Sequence, residues 1–304
     1  MSKVFFLASV NLDILSYLKG FPQSGQTIST TDSVFACGGK GANQAYACSQ
    51  NNVKTMMLCK IGNDPFGEQI RTYLAQRESI ETQILTSDKS TAIAQIFIRE
   101  SDSQNLIVII SGANKDITKR EVLQRKSDIQ NSHLLAVQLE NNIEAIAVSI
   151  EIAKQNKVSV LLNPAPYEPE IEPYLKDVDI LTPNETEASE LTGIEVTDKE
   201  TAKAAAQVIN TKYGINMIII TLGAQGVYYF NCGDSGFIEP FKANVIDTSG
   251  AGDAFNGAFA AYYCEHGKFE TAIKYANAYA STAIEGKGAS YMPNSNLAHK
   301  RFSQ

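Results

Sequence analysis

Short apolar runs alternate with amphipathic segments along most of the chain. Unbroken apolar runs predict strands that are buried on both faces of a sheet. These runs span residues 4–10, 55–61, 134–139, 158–163, 178–182, 217–222 and 227–230. Helical periodicity predicts helices at residues 143–155, 199–213, 252–265 and 269–284, with further helices after residue 38 and up to about residue 77. This repeated order predicts an α/β fold with a mostly parallel sheet and helices on both faces.

A predicted β-hairpin interrupts this order. Residues 91–99 and 106–110 are apolar and flank the polar turn 100–105, a pattern typical of two antiparallel strands. We expect the hairpin, about residues 91–111, to form a small β-sheet outside the main sheet together with parts of residues 12–36. This small sheet, termed the lid below, would exclude water from a cleft at the strand ends. A plain surface hairpin is the alternative interpretation.

A glycine-rich turn within Val245–Phe259 predicts a strand end followed by a helix. Gly250, Ala251 and Gly252 have almost no side chain, so their backbone N–H groups can approach a ligand closely. A helix N-terminus binds phosphate or a transition-state oxyanion, and Asp253 adds a carboxylate beside that site. Phosphoryl transfer to a hydroxyl needs such an anion hole and an adjacent base. Taken alone, the turn is more typical of a helix that Asp253 merely caps.

Other polar side chains lie at or just past predicted strand ends. They belong to Asn11, Asp13, the segment 38–43 and Glu140. Carboxylates and amides at the carboxyl edge of a parallel sheet suit a polyhydroxylated sugar, because each hydroxyl both donates and accepts hydrogen bonds. Individually, Asn11 and Asp13 would serve equally well as loop caps, and Lys40 as a solvated surface lysine.

The bulk composition limits the class of protein. The 304 residues are 44% hydrophobic, enough for one large α/β core, so we expect a single domain over residues 1–304. The net charge of −7, without a basic run, argues against nucleic acids and membrane surfaces as partners. Five scattered cysteines without a Cys-x-x-Cys pair predict free thiols and a cytoplasmic location. Three isolated histidines predict no zinc site, and no apolar stretch is long enough to span a membrane.

Several separate motifs, including Asn-x-Asp at 11–13 and Gln-Leu-Glu at 138–140, resemble those of the ribokinase-like (PfkB) family of carbohydrate kinases. The segment 247–253 fits the family pattern Asp-Thr-x-Gly-Ala-Gly-Asp, and Gly-Gly-Lys-Gly-Ala-Asn-Gln-Ala at 38–45 is similar to the sugar-binding motif. Thr-Pro-Asn-Glu-Thr-Glu-Ala at 182–188 and Asn-Pro-Ala-Pro at 163–166 also resemble family segments. The resemblance covers about residues 3–293. It implies a three-layer α/β/α sandwich with a mostly parallel central sheet and a small β-sheet lid.

The resemblance also implies roles for individual residues. Asp253 would be the catalytic base, and the amides of residues 250–252 would stabilise the transferred phosphoryl group. The implied sugar-binding residues are Asn11, Asp13, Gly39, Lys40, Gly41, Asn43 and Glu140, together with Asp253. The implied ATP-binding residues are Asn184, Glu187, Thr221, Gly223, Gly226, Gly252 and Asn277. The pair Asn184 and Glu187 implies Mg²⁺ bound largely through water, with a capping turn as the alternative. The helix terminus is expected to keep Asp253 ionised.

A monovalent cation site is implied near the anion hole, with K⁺ as the activator. The residues that match it are Asp247, Ser249, Ala283, Gly286 and Gly288. One position departs from the family pattern, because Met292 stands where a small hydroxyl or thiol residue is usual, four positions beyond Gly288. Ser290 is the alternative source of a hydroxyl.

The implied reaction is the transfer of a phosphoryl group from ATP to D-ribose, which gives D-ribose 5-phosphate and ADP. Another sugar or nucleoside, 2-deoxyribose above all, is an alternative substrate, and a non-catalytic sugar or nucleotide sensor is an alternative function. An oxidoreductase is disfavoured because no Gly-x-Gly-x-x-Gly follows the first strand, and no P-loop pattern occurs. The resemblance further implies a homodimer formed through the lid.

Overall fold

The computed structural model of the protein describes residues 3–101 and 104–303. Residues 102 and 103 of the predicted hairpin turn, and residues 1, 2 and 304 of the predicted domain, lie outside the described residues. The described strands are β1 (Lys3–Leu7), β2 (Asn11–Leu18), β3 (Asp32–Gly38), β4 (Lys54–Gly62), β5 (Ile80–Ser87), β6 (Ile93–Arg99), β7 (Asn105–Ile110), β8 (Leu134–Gln138), β9 (Ser159–Asn163), β10 (Ile180–Leu181), β11 (Met217–Thr221), β12 (Val227–Asn231) and β13 (Asp234–Ile238). The described helices are α1 (Lys40–Ser49), α2 (Pro65–Ala75), α3 (Lys119–Leu123), α4 (Lys126–Gln130), α5 (Ile143–Gln155), α6 (Glu185–Thr192), α7 (Lys199–Tyr213), α8 (Ala251–His266), α9 (Phe269–Ala283) and α10 (Ser295–Phe302).

The main sheet has nine strands in the order β13-β12-β11-β10-β9-β8-β1-β4-β5. The strands from β11 to β5 are parallel, whereas β12 and β13 are antiparallel to their neighbours. Val4 and Phe6 of β1 pack into one buried cluster with α1, α8 and α9, while Phe5 and Leu7 pack into a second with α5, α6 and α7. Successive strand residues point to opposite faces, so the sheet lies between two helix layers. The predicted three-layer α/β/α fold is confirmed.

The lid is a separate four-stranded sheet in the order β3-β2-β6-β7. The predicted hairpin is its β6–β7 pair, which is antiparallel, and β2 pairs with both β3 and β6. The apolar run 4–10 was predicted as one strand, but β1 ends at Leu7. The chain then leaves the main sheet, because the side chain of Asn114 takes over both backbone hydrogen bonds of Val10. Asn11 and Asp13 therefore lie on the first lid strand.

Two further boundaries differ from the prediction. The segment 62–67 was predicted as a loop, but α2 begins at Pro65, where proline suits the first helical position and Asp64 accepts a hydrogen bond from Gly67 N–H. Strands β5 and β13 were not predicted; they form the two edges of the main sheet and are mostly half-buried or exposed, so their sequences lack an unbroken apolar run. Among the residues described, none of the helices combines the length and apolarity that a bilayer crossing requires.

Helices α1 and α8 pack closely because the contact is made by small residues. A Cβ atom added at Gly257 of α8 would lie 2.3 Å from the carbonyl oxygen of Gln44 and 2.5 Å from Cβ of Ala47. The two backbones can approach to this distance only if residue 257 is glycine. This packing sets the distance between the first turns of α1 and α8.

We expect Gly257→Ala to lower the free energy of unfolding by about 1–3 kcal/mol, the usual cost of overpacking a core. The added methyl group meets backbone atoms of α1, which cannot rotate away, and this outweighs the gain in helix propensity of about 1 kcal/mol. Denaturant unfolding would measure the loss. Gly20→Ala is the matched control, because a Cβ there meets no atom within 4 Å, and we expect a change within about 0.5 kcal/mol. Equal stability of the two variants would contradict the prediction.

Candidate active site

The main cavity, about 180 Å³ in volume, lies at the carboxyl ends of the parallel strands, where α/β proteins bind ligands. It is bounded by the ends of β9, β10 and β11 and by the first turns of α1, α6 and α8. Its lining residues are Lys40, Asn163, Ala165, Thr182, Asn184, Glu187, Thr221, Gly250, Gly252, Asp253 and Asn256. Seven of these were predicted as site residues, so the structure brings together motifs that are up to about two hundred residues apart.

The N-terminus of α8 borders this cavity. Gly250 precedes the helix with φ of 76°, and a Cβ there would lie 2.2 Å from the carbonyl oxygen of Ala289, so the turn requires glycine. A Cβ at Gly252 would meet no atom within 4 Å, which leaves its backbone open to the cavity. The N–H of Ala251 donates to Thr248 O at 3.2 Å. The first N–H groups of a helix have no partner within it, so this end can bind an anion.

Asp253 lies in the first turn of α8 with only 8% of its surface exposed. Its Oδ2 accepts a hydrogen bond from Asn43 Nδ2 and its Oδ1 one from Gln44 Nε2, both at 3.1 Å. Burial raises the pKa of Asp253, while Lys40 and the two amide donors oppose that rise. Loss of hydration thus outweighs these favourable interactions in setting the direction of the pKa shift, and the expectation that the helix terminus keeps Asp253 ionised stays a prediction.

Lys40, the first residue of α1, is half-buried among carboxylates. Burial lowers its pKa, but the surrounding charges of Asp253, Glu140 and Glu187 outweigh burial, and the net shift is upward. Glu140 Oε2 accepts hydrogen bonds from the Lys40 backbone N–H at 3.0 Å and from the Ser9 hydroxyl at 2.6 Å. These contacts tie the first turn of α1 to the segments that follow β8 and β1.

Glycines allow the segment 38–41 to approach residues 8–10, the link between β1 and β2, closely. Gly39 has φ of 94°, and a Cβ there would lie 2.8 Å from Cα of Val10. At Gly41 a Cβ would lie 2.4 Å from Cα of Ala8, and the Gly41 N–H donates to the Ser9 hydroxyl at 3.0 Å. Side chains larger than hydrogen would push α1 away from the strands that carry the predicted sugar-binding groups.

A second cavity, about 150 Å³ in volume, extends beneath the lid from Glu140. Its lining residues are Asn11, Ile109, Ser111, Asn114, Lys115, Leu139, Glu140, Pro166 and Glu168. Asn11 Oδ1 accepts a hydrogen bond from Asn114 Nδ2 at 2.8 Å, so the Asn11 amide nitrogen is left for a ligand. Asn114 was missed in the sequence, because nothing local distinguishes it from a polar loop residue.

Asp13, a predicted sugar-binding residue on β2, lines neither cavity. It is 7% exposed, and burial raises its pKa to about 7, with further contributions from the charges of Glu140 and Asp253. A Cβ added at Gly38 would collide with the Asp13 carboxylate, so this pair fits only with glycine at position 38. A carboxyl group with a pKa near 7 can either donate or accept a hydrogen bond to a sugar hydroxyl.

Asn184 and Glu187 form a capping box at the start of α6. Asn184 Oδ1 accepts from Glu187 N–H, and the two Glu187 oxygens accept from Asn184 N–H and Nδ2, all at 2.9 Å. The capping turn that we weighed as an alternative is therefore present. Glu187 nevertheless lines the main cavity, and burial raises its pKa to about 7 although Asn184 and Lys40 oppose the shift.

The donor set is compatible with Mg²⁺ bound to a phosphorylated ligand. Within residues 3–101 and 104–303, no cluster of three or more His, Cys, Asp or Glu side chains could hold a metal ion alone. Mg²⁺ usually keeps several waters and takes one or two carboxylates together with substrate phosphates. Glu187 can provide one such carboxylate at the cavity wall.

The predicted ATP-binding residues are only partly brought to the main cavity. Thr221 lines it and forms an isolated parallel bridge with Asn184. Gly223 and Gly226 lie beyond it in the turn between β11 and β12, with φ of 50° and 117°. Asn277 of α9 donates a hydrogen bond from Nδ2 to Glu239 O at 2.9 Å and does not line the cavity.

The predicted cation-site segments lie against one another. Asp247 Oδ1 accepts from Ser249 N–H and Oδ2 from Gly288 N–H, both at 2.9 Å. Ala283 O accepts from Gly286 N–H at 3.0 Å, which forms the turn after α9. A carboxylate and nearby carbonyl oxygens suit a hard monovalent cation. Met292 is 6% exposed and packs in the core, so it offers no oxygen to this loop.

Several buried amides beside Asp253 were not singled out from the sequence. Gln44 belongs to the segment 38–45, and Asn163 to the segment 163–166, both quoted above as motifs. Gln138 precedes Leu139 and Glu140 at the end of β8. Their placement within the quoted motifs was the available signal, but their partners are distant in the sequence.

Together these groups can bind an anion and remove a proton from a neighbouring hydroxyl. The open end of α8 and the Lys40 ammonium attract negative charge, and the buried Asp253 carboxylate lines the same cavity. The second cavity supplies amides and carboxylates for a hydroxylated ligand.

Comparison with known proteins places these features in one family. The family model described as pfkB family carbohydrate kinase matches residues 1–296. The ribokinase of Haemophilus influenzae is 39% identical over 284 residues, which cover 93% of this chain and 92% of the relative. The deoxyribokinase of Salmonella typhi is 36% identical over 285 residues, with coverage of 93% and 92%. Among solved structures, the ribokinase of Arabidopsis thaliana complexed with ribose and ATP aligns over 100% of both chains with a TM-score of 0.92 at 28% identity.

Proposed function

The chain belongs to the pfkB family of carbohydrate kinases and is a phosphotransferase with an alcohol acceptor, and we propose that it phosphorylates D-ribose at O5 with ATP. The products are D-ribose 5-phosphate and ADP. The Asp253 carboxylate supports this proposal most directly, because it is buried at the open N-terminus of α8 and is fixed by Asn43 and Gln44. This arrangement places a base beside an anion-binding site, as phosphoryl transfer to a hydroxyl requires.

In the proposed mechanism Asp253 accepts the proton of the primary hydroxyl as the oxygen attacks the γ-phosphorus of ATP. The N–H groups at the start of α8, with Gly252 open to the cavity, would stabilise the negative charge on the transferred group. Lys40, which interacts electrostatically with this carboxylate, would add a positive charge to the site. Because the carboxylate is already oriented by two amides, positioning contributes more than basicity.

The proposal includes Mg²⁺ as a cofactor and K⁺ as an activator. When bound, Mg²⁺ would neutralise phosphate charge. Glu187 would hold it through water, and Asn184 fixes the orientation of the Glu187 carboxylate. Asp247, with carbonyl oxygens of the loop after α9, would hold K⁺ behind the end of α8.

The lid would cover the proposed sugar site. Asn11 and Asp13 lie on β2 of the lid, and Ile109 of β7 lines the second cavity. We infer that residues 1–304 form one kinase domain in which the lid segments, about 12–36 and 91–111, exclude water from the reacting groups. A cytoplasmic location is part of the proposal, since all five cysteines are free thiols and three of them are buried.

A kinase of 2-deoxyribose is the second candidate function. The relative from Salmonella typhi is named a deoxyribokinase and is 36% identical, close to the 39% of the ribokinase from Haemophilus influenzae. The two sugars differ by one hydroxyl, and Glu140, which lines the second cavity, and Asp13 would be the carboxyl groups that contact it. Discrimination at one hydroxyl depends on the shape of the pocket when the sugar is bound.

Release of ADP by the purified protein tests both candidates. Ribose, 2-deoxyribose, fructose and adenosine would be offered separately with ATP and Mg²⁺, and each assay repeated without Mg²⁺ and with K⁺ replaced by Na⁺. We expect ribose to give the highest kcat/KM, activity to require Mg²⁺, and K⁺ to increase the rate. Preference for 2-deoxyribose would change the assigned substrate from ribose to 2-deoxyribose and leave the proposed mechanism unaltered. Sugar-dependent shifts in Tm without turnover of any sugar would indicate a sensor and reject the kinase proposal.

We also propose a homodimer formed through the lid. Strand β7 is an edge strand, and its side chains from Leu106 to Ile110 are between 42% and 54% exposed. Val34 and Phe35 on the opposite edge strand are exposed to a similar extent. An exposed apolar edge strand is costly for a monomer, because it can pair with other chains and leaves apolar surface in water. A second copy of the lid has the matching apolar surface.

We expect Val108→Glu to weaken the dimer by about 10²-fold or more, because a carboxylate is costly to bury in an apolar contact. Val108 points to the opposite face of β7 from Ile109, so the change avoids the second cavity. Light scattering after size exclusion would give the masses of both proteins. Leu297→Glu is the control, since Leu297 is 50% exposed on α10. A monomeric wild-type protein would reject the dimer.

A further inference from the structure

A chain of buried amide side chains leads from β8 and β9 to the Asp253 carboxylate. Gln44 is 1% exposed, Gln138 is fully buried and Asn163 is 7% exposed. Gln44 Nε2 donates to Asp253 Oδ1 at 3.1 Å and to Asn163 Oδ1 at 3.0 Å, and Gln138 Nε2 donates to Gln44 Oε1 at 2.7 Å. Burying amides is costly unless their hydrogen bonds are satisfied, so three amides in contact require an explanation beyond packing.

A backbone carbonyl group determines how the Asn163 and Gln44 amides in this series of hydrogen bonds are oriented. Asn163 Nδ2 donates to Thr182 O at 2.9 Å, and a carbonyl oxygen can only accept. The oxygen of the Asn163 amide must therefore face Gln44. Gln44 then faces two acceptors, Asn163 Oδ1 and Asp253 Oδ1, and has to present its nitrogen to both. Its own oxygen is left for Gln138 Nε2.

The opposite orientation of Gln44 would place its oxygen against two other oxygens. These hydrogen bonds thus exclude the flipped orientation of the Gln44 amide, in which its oxygen would repel the Asp253 carboxylate. The orientation is fixed by the Thr182 carbonyl group, which determines which way the Asn163 amide faces. Asn43, the preceding residue of α1, donates to the other oxygen of Asp253 at 3.1 Å. Donors on both oxygens fix the plane of the carboxylate relative to the N-terminus of α8.

We propose that Gln44 is a positioning residue for the phosphoryl transfer, which holds the Asp253 carboxylate in the orientation of a base, that Asn163 fixes the direction of the Gln44 amide, and that Gln138 supports it by donating to its oxygen. This inference rests on the proposed kinase function. Donation of N–H groups to a carboxylate also favours its ionised form. The other charged groups around Asp253 are Lys40, Glu140, Asp13 and Glu187. Gln44 differs from them because it reaches Asp253 through a hydrogen bond and is itself neutral.

Gln44→Met is the main test, because methionine has a similar volume and donates no hydrogen bond. We expect kcat with ribose to fall about 10- to 100-fold near neutral pH, as for loss of a hydrogen bond to a charged group. The KM values for ribose and ATP should change by no more than about 3-fold, because Gln44 lines neither cavity. The acidic limb of the pH–rate profile should move to higher pH, since Asp253 loses a donor that stabilises its ionised form.

Gln138→Met tests the chain at a residue that does not contact Asp253. We expect a smaller loss of kcat and a shift of the acidic limb in the same direction. In the Gln44→Met background the second change should have little further effect on kcat, because Gln138 acts only through Gln44. Equal effects of Gln138→Met on kcat in the wild-type and Gln44→Met backgrounds would overturn the proposed chain of hydrogen bonds. If Gln44→Met does not fold, the pH–rate profile of Gln138→Met decides alone, and an unchanged acidic limb would overturn the inference.

The assay separates failure of this inference from failure of the proposed function. Wild-type protein without turnover of any sugar would reject the kinase proposal and the inference together. Active wild-type protein, with a Gln44→Met variant whose acidic limb is unmoved, would reject the positioning role alone. Circular dichroism and Tm of each variant show whether lost activity reflects lost structure, which would lower the active fraction without moving the pH profile.

Discussion

Asp253→Asn is expected to lower kcat for ribose-dependent ADP release by about 10²-fold or more, because the variant loses the general base. Both carboxylate oxygens accept amide hydrogens, from Asn43 and from Gln44. An asparagine side chain can accept at only one of these positions, so its own amide nitrogen faces a donor at the other. Kinetics with ribose and ATP would measure the loss, and ligand-dependent shifts in Tm would measure binding, which we expect to be largely kept.

Asp234→Asn is the control for loss of a carboxylate. Asp234 is exposed on β13 at the edge of the main sheet, and we expect its kcat to equal that of the wild type. Turnover of Asp253→Asn close to the wild-type value would exclude Asp253 as the base. The kinase function would then require another group, and Asp13, with its raised pKa, would be the next to test.

The second large effect is expected for Lys40→Met, with a fall in kcat/KM of about 10²- to 10³-fold near neutral pH, as for loss of a transition-state donor. The Lys40 ammonium lowers the pKa values of Asp253 and Glu187, against the opposing effect of burial. Without it both pKa values rise. Because Asp253 must be ionised to accept a proton, the acidic limb of the pH–rate profile should move to higher pH. The loss should therefore be larger at pH 6 than at pH 8.5.

Lys203→Met is the control for this prediction, because Lys203 is exposed on α7. A Lys40→Met variant with a uniform loss of activity at every pH would contradict the electrostatic role and leave only a binding role. Lys40→Arg would separate charge from shape: retention of the acidic limb with a lower kcat is expected, since guanidinium is larger and differs in geometry.

Much of the fold followed from local patterns in the sequence. Unbroken apolar runs identified seven of the nine strands of the main sheet, and the interrupted order identified the lid hairpin. The end of β1 at Leu7 could not be predicted, because it depends on Asn114, more than a hundred residues away. Strands β5 and β13 were missed for a different reason: edge strands are only partly buried and need no continuous apolar sequence.

The candidate site shows the same division. Motifs such as 247–253 and 38–45 indicated which residue types belong to a kinase, and the parallel strand order predicted that they would lie at one edge of the sheet. These motifs could not indicate how burial, charges and hydrogen bonds combine to shift the pKa values of the site residues. Asp253 has a raised pKa because the fold buries it, whereas a helix N-terminus by itself favours an ionised carboxylate.

The amino-acid sequence by itself determined the class of fold, the lid and the family, because hydrophobic periodicity and glycine turns act over a few neighbouring residues. Only the tertiary structure decided the environment of each polar group. Gln44 and Asp253 are 209 positions apart, and Asn43 and Asp253 are 210 apart, yet each pair shares a hydrogen bond. Hydration, charge and hydrogen-bond direction depend on all groups within a few ångströms, and those groups come together only when the chain has folded.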